Sequence, residues 1–105
     1  MQTITIAGVL ANNAEECVDS SSRKYSRFTV TCESVDKNGR SHYTHYNCVC
    51  YVPGYEKLKT NDQVFLTGKF SAELKLNEKG KPYMNLNVMV FQASDGFKAK
   101  ERITK

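Results

Sequence analysis

His42, His45, Cys48 and Cys50 fall within nine residues, in the segment HYTHYNCVC. Two imidazoles and two thiols are, by type, a zinc-ligating set. The local pattern works against that chemistry. Residues 42–52 are rich in aromatic and β-branched side chains and contain no Gly or Pro, so they read as one strand. At ~3.3 Å per residue, His42 and Cys50 lie roughly 26 Å apart. His45 has the opposite parity and points to the other face of the sheet. A zinc site would need this strand to be broken, and nothing in the segment breaks it.

The wider segment, residues 37–55 (KNGRSHYTHYNCVCYVPGY), offers a different chemistry. It holds four tyrosines, two histidines, one lysine, one arginine and no acidic residue. Cations meet phosphates, and every nucleobase has a π-face that can lie on a ring. The segment therefore suits a polyanion with flat bases. It equally suits a half-buried strand whose tyrosines pack on neighbours, because aromatics favour strands whatever their role.

The rest of the chain sets the frame. Its 105 residues suit one domain with a modest core. No apolar run approaches the ~20 residues of a membrane-spanning helix. The first 22 residues carry no Lys or Arg, so a secretory signal is not expected. Cys17, Cys32, Cys48 and Cys50 then read as reduced thiols, and the expected location is cytoplasmic. Glu15, Glu16 and Asp19 give residues 1–22 a charge of −3. All 15 basic residues and eight acids give residues 23–105 a charge of +7. A basic body of this size is compatible with nucleic acid. There is no Gly-rich phosphate loop, nucleophile elbow or metal-binding helix motif, so neither an enzyme nor a cofactor is expected.

The elements that must position these groups are strands. Residues 3–10 (TITIAGVL) alternate and are β-branched; Gly8 inside them marks a bulge or a close backbone approach. Residues 11–22 are polar and read as a loop. Residues 27–35 alternate, with Phe28, Val30 and Cys32 on one side and Arg27, Thr29, Thr31 and Glu33 on the other. The Asn38-Gly39 turn joins them to the third strand in a hairpin. Residues 55–60 allow at most a turn or two of helix. Residues 63–76 form a fourth strand, with Gly68 inside it. After a turn at 78–82, residues 83–91 form a fifth, with Met84, Leu86, Val88 and Val90 on its inner face. Five strands with a short helical connection between the third and fourth are the layout of an all-β OB-fold barrel. The barrel domain is expected over residues 1–93, followed by a flexible basic tail over 94–105.

Several of these pieces carry a resemblance. TITIAGVL, RFTVTCES, THYNCVCYV, NDQVFLTGKF and YMNLNVMVFQ, in that order and spacing, resemble the OB-fold domain of the bacterial and phage single-stranded DNA-binding proteins, over about residues 2–93. DQVFLTGKF is the strongest local match. By that resemblance Tyr46 stands where the family has a base-stacking tryptophan, Asn47 where it often has an interface histidine, and Val52 where a stacking phenylalanine is common. Leu74, Lys75 and Leu76 surround another usual tryptophan, yet this chain has no Trp. The family's acidic recruiting tip is replaced by the basic FKAKERITK. Primosomal replication protein N, similar in length and also without that tip, is a related resemblance.

The resemblance implies sequence-tolerant binding of single-stranded DNA in replication, recombination or repair. Tyr46 would be the central platform, with Cys48 and Cys50 lining the same face. Tyr25, Tyr43 and Tyr83 are further platforms. Arg23, Lys24, Arg27, Lys37 and Arg40 would meet phosphates around the second strand and its hairpin. Lys69, Lys75, Lys79 and Lys81 would do so along the other hairpin. RNA is not separated from DNA at this level, since that choice rests on 2′-hydroxyl contacts. A homo-oligomer, dimer or tetramer, is expected, with no membrane partner. The alternative reading is an OB-fold protein–protein adaptor of a replication, primosome or conjugation complex with weak DNA affinity.

Overall fold

The computed structural model describes residues 2–92. The tail expected over residues 94–105 lies outside the described residues. The strands are β1 (Gln2–Leu10), β2 (Glu15–Val18), β3 (Lys24–Val35), β4 (Ser41–Cys50), β5 (Gln63–Leu76) and β6 (Pro82–Gln92). Their alternation sets the inner face. Ile6 and Leu10 of β1, Phe28 and Val30 of β3, Cys48 and Cys50 of β4, Val64 and Leu66 of β5, and Val88 and Val90 of β6 are all buried in one cluster.

Hydrogen bonding closes the sheet into a ring. β1 pairs with β5, β5 with β6, β4 with β3, and β6 with β4 in parallel. β3 returns to β1 at Val9↔Thr31 and Leu10↔Val30. This is the five-stranded OB barrel. β2 is an addition that the polar sequence of residues 11–22 concealed; it lies along β3, from Glu15↔Arg27 to Val18↔Lys24. The helical connection is one 3-10 turn, Tyr55–Lys57. It suffices because it delivers Tyr55 and Leu58 into the core. Fully burying a Leu side chain contributes roughly 1.5–3 kcal/mol.

Two glycines make the closure possible. A Cβ at Gly8 would sit 2.4 Å from the Thr31 carbonyl oxygen, where β1 meets β3. A Cβ at Gly68 would sit 2.4 Å from the Met89 carbonyl oxygen, beside a β-bulge between Thr67 and Gly68.

Beyond Phe70 and Val88, β5 and β6 leave the barrel as a two-stranded arm. Met84, expected on the inner face, has the expected parity but is exposed, because there is no core beneath it at that height. The tips of this arm and of the β3–β4 hairpin share one design. The Asp36 carboxylate accepts from the Asn38 and Arg40 amides, and the Asn77 side-chain oxygen accepts from the Lys79 and Lys81 amides. Each is an Asx-type turn with a glycine at positive φ, at Gly39 and Gly80. Among the described residues no helix is long and apolar enough to cross a membrane.

Candidate nucleic-acid interface

Strand parity divides the nominated residues between two faces. Cys48 pairs with Phe28 and Val88, so the even-numbered residues of β4 face inward. Tyr46 is therefore on the core side. It is half-buried, packs against the cluster, and meets the Phe70 ring edge-on at 6.4 Å between centroids. Cys48 and Cys50 share that face but are fully buried, so they line no groove. Burial pushes the Cys48 thiol up to about 12 and raises Cys50 as well, which keeps both as neutral, apolar filling. The four residues of the zinc-like set stay apart. His45 is outside, bonded to Thr31 at 2.9 Å, and His42 bonds Asp36 at 2.8 Å in the turn. All four cysteines are free thiols.

The odd-numbered residues of β4 face outward, and here the register assembles a continuous surface. Arg27 pairs with Val49, Val49 with Met89, and Met89 with Lys69. Glu33 pairs with Tyr43, and Lys75 with Tyr83. Tyr25, Arg27, Tyr43, Lys69, Lys75 and Tyr83 thus share one outer face. In the middle of it runs a ladder of amides. Asn47 donates to Asn85 at 2.7 Å, Asn85 to Asn87 at 3.4 Å, and Asn87 to the Glu73 carboxylate at 3.4 Å. Tyr43 and Tyr83 each lie four residues before the paired Asn47 and Asn87, about 13 Å along their strands. Tyr43 is 60% exposed and Tyr83 46%. Lys37 and Arg40 sit at one exposed tip, Lys79 and Lys81 at the other. Lys24 opens β3 and Arg23 stands just before it.

Sequence reasoning missed the acids of this surface. Residues 37–55 hold a single carboxylate-free strand, but its neighbours bring carboxylates to it. Glu33 accepts from the Tyr43 hydroxyl at 3.2 Å, and Glu15 pairs with Arg27 at 3.4 Å. That ion pair is solvent-exposed on both sides and so contributes little. With Glu73, three acids offset Arg27, Lys69 and Lys75. The middle of the outer face is near neutral, and each tip carries two cations against one acid, Lys37 and Arg40 with Asp36, Lys79 and Lys81 with Glu78. Tyr51, Met89 and the asparagines were missed as well. The signal for them was available, because they share odd or paired parity with Tyr43 and Arg27.

OB folds bind oligonucleotides on the face of their second and third strands, flanked by the loop before the second strand and the turn between the fourth and fifth. In this barrel those are β3 and β4, residues 11–23, and residues 77–81. The fold is an OB barrel in which Tyr43 and Asn47 lie on that face and Tyr83, Asn85 and Asn87 on the adjoining β6. Solved structures agree on the fold. A small single-stranded DNA-binding protein from Streptomyces coelicolor superposes with a TM-score of 0.67 at 17% identity, over 89% of this chain and 92% of that one. Plasmodium falciparum SSB in complex with ssDNA superposes with a TM-score of 0.65 at 14% identity, over 85% of each chain. No protein-family profile matches the sequence, and no curated protein matches it.

Proposed function

We propose that this protein binds single-stranded nucleic acid across the outer face of β3, β4 and the adjoining β6. Lys37, Arg40, Lys79 and Lys81 at the hairpin tips attract the backbone. Tyr43 and Tyr83 accept bases, and the asparagine ladder offers amide contacts that tolerate any base. The observation that carries this reading is the placement of two exposed tyrosines at matching steps on two arms, both reached from one strip of asparagines where the parallel strands meet. The structural neighbours named for single-stranded DNA binding support it, and so does the place of this face in the fold.

The test is a binding titration with oligo(dT), the matching RNA and duplex DNA. Single strands are expected to bind in preference to duplex, because the base faces that the rings need are stacked away in a helix. Equal affinity for duplex would sink the reading. The adaptor alternative draws on a different observation: Leu74, Leu76 and Met84 form an exposed apolar face on the β5–β6 arm. It predicts that all three nucleic acids bind weakly.

Self-association belongs to the same proposal. β1 pairs with β5 along Gln2–Val9 but meets β3 only at Val9 and Leu10. The opposite edge of residues 2–7 carries no charged side chain to discourage pairing with another strand. Sedimentation equilibrium should give a dimer or larger assembly. A monomer at the highest workable concentration would refute this part of the proposal.

A further inference from the structure

The end of the outer face away from the tips carries a second set of flat groups. Tyr25 and Tyr51 lie 5.3 Å apart between ring centroids, tilted by 42°. The Arg23 guanidinium carbon lies over the Tyr51 ring, 4.9 Å from its centroid. One carboxylate organises all of this. Asp19 Oδ1 accepts from the Ser21 and Arg23 amides, each at 2.9 Å. Its Oδ2 accepts from the Tyr51 hydroxyl at 3.0 Å and from Arg23 Nε at 3.3 Å. The Arg23 amide, the Tyr51 hydroxyl and the Ser21 amide hold the Asp19 carboxyl below its ordinary range, so it stays charged at neutral pH.

A surface arginine ordinarily moves among many rotamers. This one is tethered at Nε with its guanidinium carbon over a ring, yet its side chain is 69% exposed while that of Asp19 is 18% exposed. The tether holds a planar cation with an open surface. Glu16 and Glu56 stand close by, along the concavity that Tyr51 and Lys24 also line. Those acids, with Asp19, disfavour a phosphate there. A nucleobase is neutral and flat, and guanidinium planes stack on bases.

We propose that the Arg23 plane, held on Tyr51 by Asp19, is a nucleobase-stacking station at the far end of the outer face. This rests on the single-strand reading above and extends it by one site. Tyr51 lies eight residues from Tyr43 along the chain, about 26 Å at strand rise. A strand must be long enough to span that distance before it gains from the station.

The experiment compares Arg23→Lys, Arg23→Gln and Tyr43→Ala with the parent chain. Each is titrated with oligo(dT) of about four and about twelve nucleotides, within the range one OB fold holds. Folding is checked by circular dichroism. Lysine keeps the charge but loses the plane and the fork. Both Arg23 variants should therefore bind the long strand about five- to tenfold more weakly, as expected for one lost stacking contact. They should bind the short strand as the parent does, and the salt dependence should not change. Two results overturn the proposal while the single-strand reading stands. In one, Arg23→Lys matches the parent while Arg23→Gln loses affinity and flattens the salt slope by about 0.7, the mark of a phosphate contact. In the other, neither Arg23 variant loses affinity while Tyr43→Ala does. A parent chain that binds neither strand refutes both readings.

Discussion

Gly68→Ala, and separately Gly8→Ala, should lower the thermal midpoint by roughly 8–16 °C. A Cβ at either site would meet a backbone carbonyl oxygen at 2.4 Å, Met89 in one case and Thr31 in the other. A neighbouring side chain could rotate away, but a carbonyl fixed in a sheet ladder cannot. The strands must instead part. At Gly8 that loosens the short ladder that closes β3 onto β1, two residue pairs long and continued by the Ala11 amide on the Thr29 carbonyl at 2.8 Å. At Gly68 the Val88 side chain, 2.8 Å from the same added atom, must also shift. Overpacking of this kind costs typically 1–3 kcal/mol, occasionally more. Alanine's smaller unfolded-state entropy returns about 0.4–1 kcal/mol. With two contacts on backbone the cost falls at the upper end of that range, the balance is about 2 kcal/mol, and each kcal/mol moves the midpoint of a domain of this size by about 4–8 °C. Gly39→Ala is the contrast. Nothing lies within 4 Å of its added Cβ, and only the positive φ of 79° opposes it. Thermal melts followed by circular dichroism decide the matter. Midpoints for Gly8→Ala and Gly68→Ala within a few degrees of the parent would show that the barrel breathes at these seams.

The second large effect is on binding. Tyr43→Ala combined with Tyr83→Ala should weaken single-strand affinity about a hundredfold, with little change in melting. Base–aromatic stacking is worth roughly 1–3 kcal/mol per base. The two rings stand on separate arms, so their losses should nearly add. Both are exposed, and their removal leaves no cavity. Tyr46→Ala should do the reverse. Its ring is half-buried against Phe70, so the loss falls on stability, at about 2 kcal/mol, below the cost of a fully buried ring. Fluorescence titrations paired with melts separate the two. A Tyr46→Ala protein that melts normally but binds weakly would make Tyr46 the platform after all.

The contrast between Tyr46 and Tyr43 marks where the sequence stops being legible. Alternation in residues 41–50 defines two faces but leaves open which of them is the core. Both carry tyrosines. The deciding clue was the cysteines, which behave as small buried hydrophobes when free. Cys48 and Cys50 should have assigned Tyr46's face to the interior. The four main hairpin strands and both basic turns followed from period-two patterning and punctuation alone, while Gly8 read as either a bulge or a close approach and Gly68 only as a glycine inside a strand. β2 did not, because EECV is short, polar and almost wholly exposed, and only its register on β3 makes it a strand. Met84 shows a further limit. Parity gives a side chain's direction, but not whether a core exists at that height of the strand. The charge balance of the outer face was hidden for a third reason. Glu33 reaches Tyr43 across ten residues of sequence, and Glu73 reaches Asn87 across fourteen. A window free of acids in one strand says nothing about its partners.

The charge geometry also yields the most direct test of the central claim. Lys37, Arg40, Lys79 and Lys81 stand at the two tips and form no ion pair among the described residues, and each would neutralise one phosphate. The measurement is the affinity for a single-stranded oligonucleotide across a series of salt concentrations. With about four phosphates neutralised, log K against log salt should fall with a slope near −3. An affinity that does not change with salt would contradict a groove bounded by cationic tips.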